Sequence, residues 1–105
     1  MDYKKSALVD EYITEAPEEE HGIMQTIRNL IFKEAPDAAE LFEDGNPSYE
    51  VDGVELARFT KAEGRIDFFI ESKEKPHIEI KSGEDVPTDL LTELLATRFV
   101  SIVTK

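Results

Sequence analysis

The hydrophobic pattern of this chain changes its period between Pro36 and Gly45, and that change most restricts the fold. Before Pro36, apolar residues recur every three to four positions, the spacing of one face of an amphipathic helix. After Gly45 they alternate with polar residues between short turn signals, the spacing of half-buried strands. Helices followed by strands indicate an α+β fold.

Two helices are predicted before Pro36. Ser6 can cap a short helix over about residues 7–15. Glu18–Ala35 is the stronger helix, because Pro17 suits its first turn, three glutamates favour the positive end of the helix dipole, and Pro36 ends it. Its buried stripe is expected to comprise Ile23, Met24, Ile27, Leu30 and Ile31.

Four strands are predicted after Gly45. Residues 49–51 and 54–59 flank Asp52-Gly53, a dipeptide that suits a two-residue hairpin turn. Residues 65–71 and 77–81 follow, after turns at 62–64 and 73–76. The segment containing Ala38, Ala39 and Leu41 is assigned to a connection.

A helix that opens at Val86-Pro87-Thr88-Asp89 closes the chain, with a wide apolar face toward the sheet. The expected architecture is one domain over residues 1–105 with two N-terminal helices, a four- to five-stranded antiparallel sheet and one C-terminal helix.

The charge balance excludes several classes of function. The 105 residues include 24 Asp and Glu, 12 Lys and Arg and no Cys, which gives a net charge of −12. Because the chain has no Cys, disulfides, thiolate nucleophiles, zinc–thiolate sites and iron–sulfur clusters are excluded. Because the net charge repels phosphate groups, a nucleic-acid partner is not expected. No apolar run approaches the roughly 18 residues that span a bilayer, and Met1–Lys5 leads into acids rather than a signal segment, so a cytoplasmic protein without a membrane partner is expected.

Carboxylates are the candidate metal ligands. Residues 1–52 carry 14 acids and four bases, a net charge of −10. Six of those acids lie in residues 37–52, which contain no Lys or Arg. Hard cations prefer such oxygen donors, although an acidic surface can also serve solubility alone. The candidate ligands are Glu18, Glu19, Glu20, Glu40, Glu43 and Asp44.

A ligand pocket is a second candidate site. Tyr49 and Phe59 could line a cavity beside Arg58, although aromatic residues in strands are more often core residues. His21 and His77 have no nucleophile and orienting group at a recognisable spacing, so no catalytic residue and no enzymatic activity are predicted.

Several short motifs resemble the YdhG-like family of small bacterial domains of unknown function. Leu8-Val9-Asp10-Glu11-Tyr12-Ile13, Glu34-Ala35-Pro36-Asp37-Ala38-Ala39-Glu40, Gly45-Asn46-Pro47-Ser48-Tyr49 and Val86-Pro87-Thr88-Asp89-Leu90-Leu91 carry the resemblance in order. It implies helices packed on an antiparallel sheet, broadly as in frataxin, and places Pro47 and Tyr49 in a family segment. Pro47 therefore joins Tyr49, Arg58 and Phe59 as a candidate pocket residue. Some family members are described as frataxin-like iron chaperones.

Two hypotheses of function follow. The first is a non-enzymatic domain that holds no tightly bound cofactor, binds iron weakly through exposed carboxylates and delivers it to a protein partner. The alternative is a protein-interaction or small-ligand-binding module with no metal role.

Overall fold

The computed structural model describes residues 6–70 and 75–104. In these residues the elements are α1 (Ala7–Thr14), α2 (Glu18–Glu34), β1 (Ala39–Glu43), β2 (Asn46–Val51), β3 (Val54–Ala62), β4 (Arg65–Phe69), β5 (Ile78–Lys81) and α3 (Thr88–Val103). The predicted α+β architecture is confirmed, with five antiparallel strands in the order β1-β2-β3-β4-β5.

The helices begin and end where local chemistry indicates. The Ser6 hydroxyl accepts a hydrogen bond from the Leu8 N–H at 3.2 Å and caps α1. Pro17 occupies the N-cap position of α2, and the helix ends one residue before its predicted end at Ala35. None of the three helices in the described part of the chain has the length and apolarity needed to cross a bilayer.

The assignment of Ala39 and Leu41 to a connection is wrong, because Ala39–Glu43 forms the edge strand β1, whereas Ala38 does precede the strand. Each of its residues pairs with β2, from Ala39 opposite Glu50 to Glu43 opposite Asn46. A two-residue turn joins the strands. Asp44 and Gly45 both adopt positive φ, at 53° and 79°, which is the backbone of the turn that matches the twist of a hairpin.

The Asp52-Gly53 hairpin is confirmed, with φ values of 54° and 79°. The predicted strand over 65–71 is present as far as Phe69, and its last residue, Glu71, lies outside the described residues. The first two residues of the predicted turn at 73–76 fall outside them as well.

One hydrophobic cluster joins the three helices to one face of the sheet. Its fully buried members include Ile27 and Ile31 from α2, Phe59 and Phe68 from the sheet, and Leu95 from α3. Burial of each such side chain contributes about 1.5–3 kcal/mol. The hydrophobic residues of this cluster hold the helices on the sheet.

A β-bulge in β3 adds one residue to this core. The pairing of β2 with β3 shifts between Tyr49 and Glu50, so that Leu56 is left without a pairing partner. A bulge can turn two consecutive side chains to one face, and here both Leu56 and Ala57 are fully buried in the cluster. Alternation resumes beyond them, which places Arg58 on the opposite face.

Two glycine substitutions are expected to change stability in opposite directions. Gly53→Ala puts a Cβ on a residue with φ of 79°, and we expect a loss of about 1–2 kcal/mol in the free energy of unfolding. Gly22→Ala, inside α2 where an added Cβ meets no atom within 4 Å, should raise it by about 0.5–1 kcal/mol. Urea denaturation measures both, and a destabilised Gly22→Ala would contradict the described helix surface.

Candidate functional site

A buried ion pair joins α2 to the edge strand β1. The guanidinium of Arg28 donates to both oxygens of Glu40, from Nε to Oε2 at 2.8 Å and from Nη2 to Oε1 at 2.7 Å. The side chain of Glu40 is 0% exposed and that of Arg28 is 4% exposed. This two-point geometry gives a buried carboxylate an oriented counter-ion.

Two further donors complete the environment of Glu40. The Tyr49 hydroxyl donates to Oε2 and the Ser6 backbone N–H donates to Oε1, each at 2.6 Å. Four hydrogen bonds therefore reach the two oxygens, and a metal ion bound to Glu40 would have to displace Arg28, Tyr49 or Ser6.

Asp10 on α1 extends the network to solvent. Arg28 Nη1 donates to Asp10 Oδ1 at 2.6 Å, while the Asp10 side chain is 61% exposed. Burial by itself would lower the pKa of Arg28, but hydrogen bonds to Glu40 and Asp10 more than offset this effect, so the pKa is raised and the guanidinium stays charged. Burial, followed by the negative charge of Glu40, raises the pKa of Tyr49 well above its usual range.

Glu20 is also held by a residue distant in sequence. It is 4% exposed, and its Oε2 accepts a hydrogen bond at 2.9 Å from the hydroxyl of Ser82, just beyond β5. This contact ties the first turn of α2 to the sheet.

The other four candidate metal ligands lie on the surface. Glu18 and Glu19 occupy the first turn of α2, whereas Glu43 and Asp44 are at the β1–β2 turn. Within residues 6–70 and 75–104, no three His, Asp or Glu side chains are grouped closely enough to hold a metal ion. Of the six candidates, two are bonded within the fold and four are exposed on two separate elements.

The four candidate pocket residues do not line a common cavity. Tyr49 and Phe59 are fully buried and their rings stack with centroids 6.1 Å apart, while Pro47 is buried on the same strand as Tyr49. Arg58 lies on the other face of the sheet, opposite Ser48, and its Nη2 is 3.3 Å from Glu55 Oε1. The bulge places these two residues, three apart in sequence, on one face.

The two histidines lie in different surroundings. His21 is half-buried, and its Nε2 donates to the Ala16 carbonyl oxygen at 2.6 Å, just after α1. His77 is exposed and lines a cavity of about 190 Å³ with Ile70, Glu93, Leu94, Thr97 and Arg98.

A larger open cleft of about 480 Å³ lies between α2 and the segment that joins β5 to α3. Its acidic members are Glu19 from α2 and Glu84 and Asp85 from the joining segment. Its other lining residues are Gly22, Ile23, Thr26, Gly83, Val86 and Thr88. The sequence prediction did not include this cleft.

The carboxylates of the cleft differ in their surroundings. Glu84 Oε1 accepts a hydrogen bond from the Lys81 backbone N–H at 2.9 Å, which fixes the loop. The side chains of Glu19 and Asp85 are exposed and make no hydrogen bond or ion pair with another described residue. The cleft therefore presents two free negative charges beside the apolar side chains of Ile23 and Val86.

One sequence feature, a glycine inside a predicted helix, coincides with the cleft. Gly22 lies on an exposed turn of α2, where glycine costs about 1 kcal/mol relative to alanine, and it has no contact that requires a missing Cβ. Gly22 and Gly83 contribute walls without side chains, which leaves room above Ile23.

Comparison of the chain with protein-family models, curated proteins and solved structures gives no match. The resemblance to the YdhG-like family therefore stays a prediction.

Removal of Arg28 should destabilise the fold strongly. Arg28→Met leaves the carboxylate of Glu40 buried without its counter-ion, and we expect a loss of about 3–5 kcal/mol. The double variant Arg28→Met/Glu40→Leu, which removes the buried charge as well, should lose less. Equal losses in urea denaturation would contradict a charge-pairing role.

Alkaline pH should also weaken the fold through Tyr49. Because the folded-state pKa of Tyr49 is raised above the unfolded value of about 10, its stabilising contribution is complete below that pH and declines as the pH rises above it. Tyr49→Phe should be less stable near neutral pH but lose less of its remaining stability above pH ~10. Parallel alkaline profiles of the free energy of unfolding would contradict this assignment.

Proposed function

We propose that this protein is a non-enzymatic binding module that holds an alkylammonium group in the acidic cleft between α2 and the β5–α3 segment. Such a group occurs in a polyamine and in the lysine side chain of a partner protein. The observation that carries the proposal is the juxtaposition of two free carboxylates, Glu19 and Asp85, with the apolar side chains of Ile23 and Val86.

The chemistry of the cleft suits an organic cation. A lysine-like ligand needs apolar surface for its methylene stem and an acceptor for its ammonium head, and the cleft has both. Thr26 and Thr88 add hydroxyl groups that can accept hydrogen bonds from an ammonium. The net charge of −12 favours the approach of any cation to this surface.

A bare metal ion fits the cleft less well. Metal sites made of carboxylates bring several oxygens to about 2.0–2.6 Å from one centre. The described residues contain no group of three acidic or histidine side chains that could do this, so we favour the small-ligand or interaction hypothesis over iron delivery.

Amide NMR of the full chain can test the proposal with spermidine as the probe. We expect saturable shifts at Gly22, Ile23 and Asp85. Binding should weaken as the ionic strength rises, since the contacts are partly exposed. Titration with Fe²⁺ and Mg²⁺ under the same conditions tests the iron hypothesis.

Two double variants, each of which removes two negative charges, distinguish binding in the cleft from attraction by the net charge of the protein. Glu19→Gln/Asp85→Asn should weaken spermidine binding about tenfold, through the loss of two charge contacts. The control Asp52→Asn/Glu63→Gln removes two exposed acids in the strand turns and should leave the affinity nearly unchanged. Equal weakening in both variants, or saturable Fe²⁺ shifts at Glu43 and Asp44 without spermidine shifts at the cleft, would overturn the proposal.

A further inference from the structure

The edge strand β1 has one row of backbone groups without partners in the described structure. β1 pairs with β2 alone, and Phe42 lies opposite Pro47, which has no N–H. Phe42 and Pro47 are therefore a non-hydrogen-bonded pair, and the alternation of an antiparallel ladder makes Glu40 and Tyr49 another.

It follows that the N–H and C=O groups of Glu40 and Phe42 point away from β2, toward the outer side of the edge. No backbone hydrogen bond among residues 6–70 and 75–104 reaches these groups from another element. An unpaired row of this kind can accept an additional strand.

The charge around this edge selects the chemistry of the added strand. Glu43 is exposed at the end of β1, Asp44 is exposed in the turn, and half-buried Glu50 lies opposite Ala39. No Lys or Arg occurs in the sequence between Lys33 and Arg58. Arg28, which does contact β1, is bound to Glu40 and Asp10.

A second copy of this chain is a poor occupant of the edge. It would bring the same acids to the edge and a further net charge of −12, so repulsion opposes self-pairing. A cationic segment would instead meet opposite charge at Glu43, with Asp44 in the adjoining turn.

The side chains of β1 define the pattern that fits. On the face of the sheet away from the helices, half-buried Leu41 lies between Ala39 and exposed Glu43. On the helix face, half-buried Phe42 contacts the Tyr12 ring edge-on at a centroid distance of 5.6 Å. A strand beside β1 would therefore place an apolar residue near Leu41 and a basic residue two positions away near Glu43.

We propose that β1 binds an extended segment of a partner protein, bearing Lys or Arg and apolar residues, as a sixth strand of the sheet. Backbone hydrogen bonds to Glu40 and Phe42 supply the pairing, and the acids beside the edge supply selectivity for a basic segment. This interaction uses a surface separate from the acidic cleft, so it does not depend on the proposed function.

Peptide titration of the full chain tests the inference. The probe is a synthetic peptide with Lys and Val in a strand-forming pattern, and the matched control is the same peptide methylated on alternate backbone nitrogens. We expect the unmethylated peptide to slow hydrogen exchange of the Glu40 and Phe42 amides, and the methylated peptide to bind at least about tenfold more weakly. Equal affinities would show attraction by charge alone and would overturn the proposal.

Two variants of the edge keep the test specific. Phe42→Ala and Phe42→Pro both remove the ring, but only the proline removes the outward N–H, so binding should fall about tenfold further in Phe42→Pro. Circular dichroism checks that both variants fold. If the proline variant does not fold, slowed exchange at Glu40 and Phe42 in the natural chain decides the question.

Other outcomes distinguish the edge from the cleft. The Glu19→Gln/Asp85→Asn variant should bind the peptide as the natural chain does. Loss of binding in this variant would show that the peptide binds in the cleft, and it would overturn the edge-strand inference but not the proposed function. Slow exchange of the Glu40 and Phe42 amides in the free protein, or a dimer whose formation protects them, would show that the edge is already occupied and would also overturn it.

Discussion

The contact between Arg28 and Glu40 is the interaction on which the arrangement of the helical half depends. Glu40 accepts from α2 through Arg28, from β2 through Tyr49 and from the start of α1 through Ser6. Without these donors its burial would be strongly unfavourable. Hydrophobic packing holds the helices on the sheet, whereas this network determines how α1, α2 and β1 are oriented relative to one another.

The network also explains which part of the fold local sequence could predict. The Ser6 cap of α1, the Asp52-Gly53 hairpin and four of the five predicted residues of the buried stripe of α2 are found as expected, because they depend on residues within a few positions. The fifth residue of the stripe, Leu30, is half-buried. β1 was missed because Ala38 and Ala39 have low strand propensity and its buried residue is Glu40. That burial requires Arg28, twelve residues earlier, and Tyr49, nine residues later.

The candidate site shows the same limit. Sequence identified an acidic half, but it could not tell that Glu20 and Glu40 are bonded within the fold while Glu18 and Glu19 are exposed. The cleft is made by residues 19–26 and 83–88, which are separated by 56 residues, so no local motif contains it. Gly22 was a visible departure from helix propensity, yet its place beside Gly83 becomes evident only in three dimensions.

The bulge in β3 has a consequence for how the chain can vary in length. Leu56 has no pairing partner in β2. Its neighbours Glu55 and Ala57 pair with the adjacent residues Glu50 and Tyr49, so they lie on opposite faces of the sheet, as adjacent residues of a regular strand do. Because Leu56 and Ala57 together lie opposite Tyr49, loss of either one would restore a regular ladder and leave every other side chain of β3 on its present face. Loss of one residue elsewhere within the strand would invert the faces of the residues on one side of the deletion. The bulge is therefore the place where evolution could shorten β3 by one residue at the expense of core volume alone.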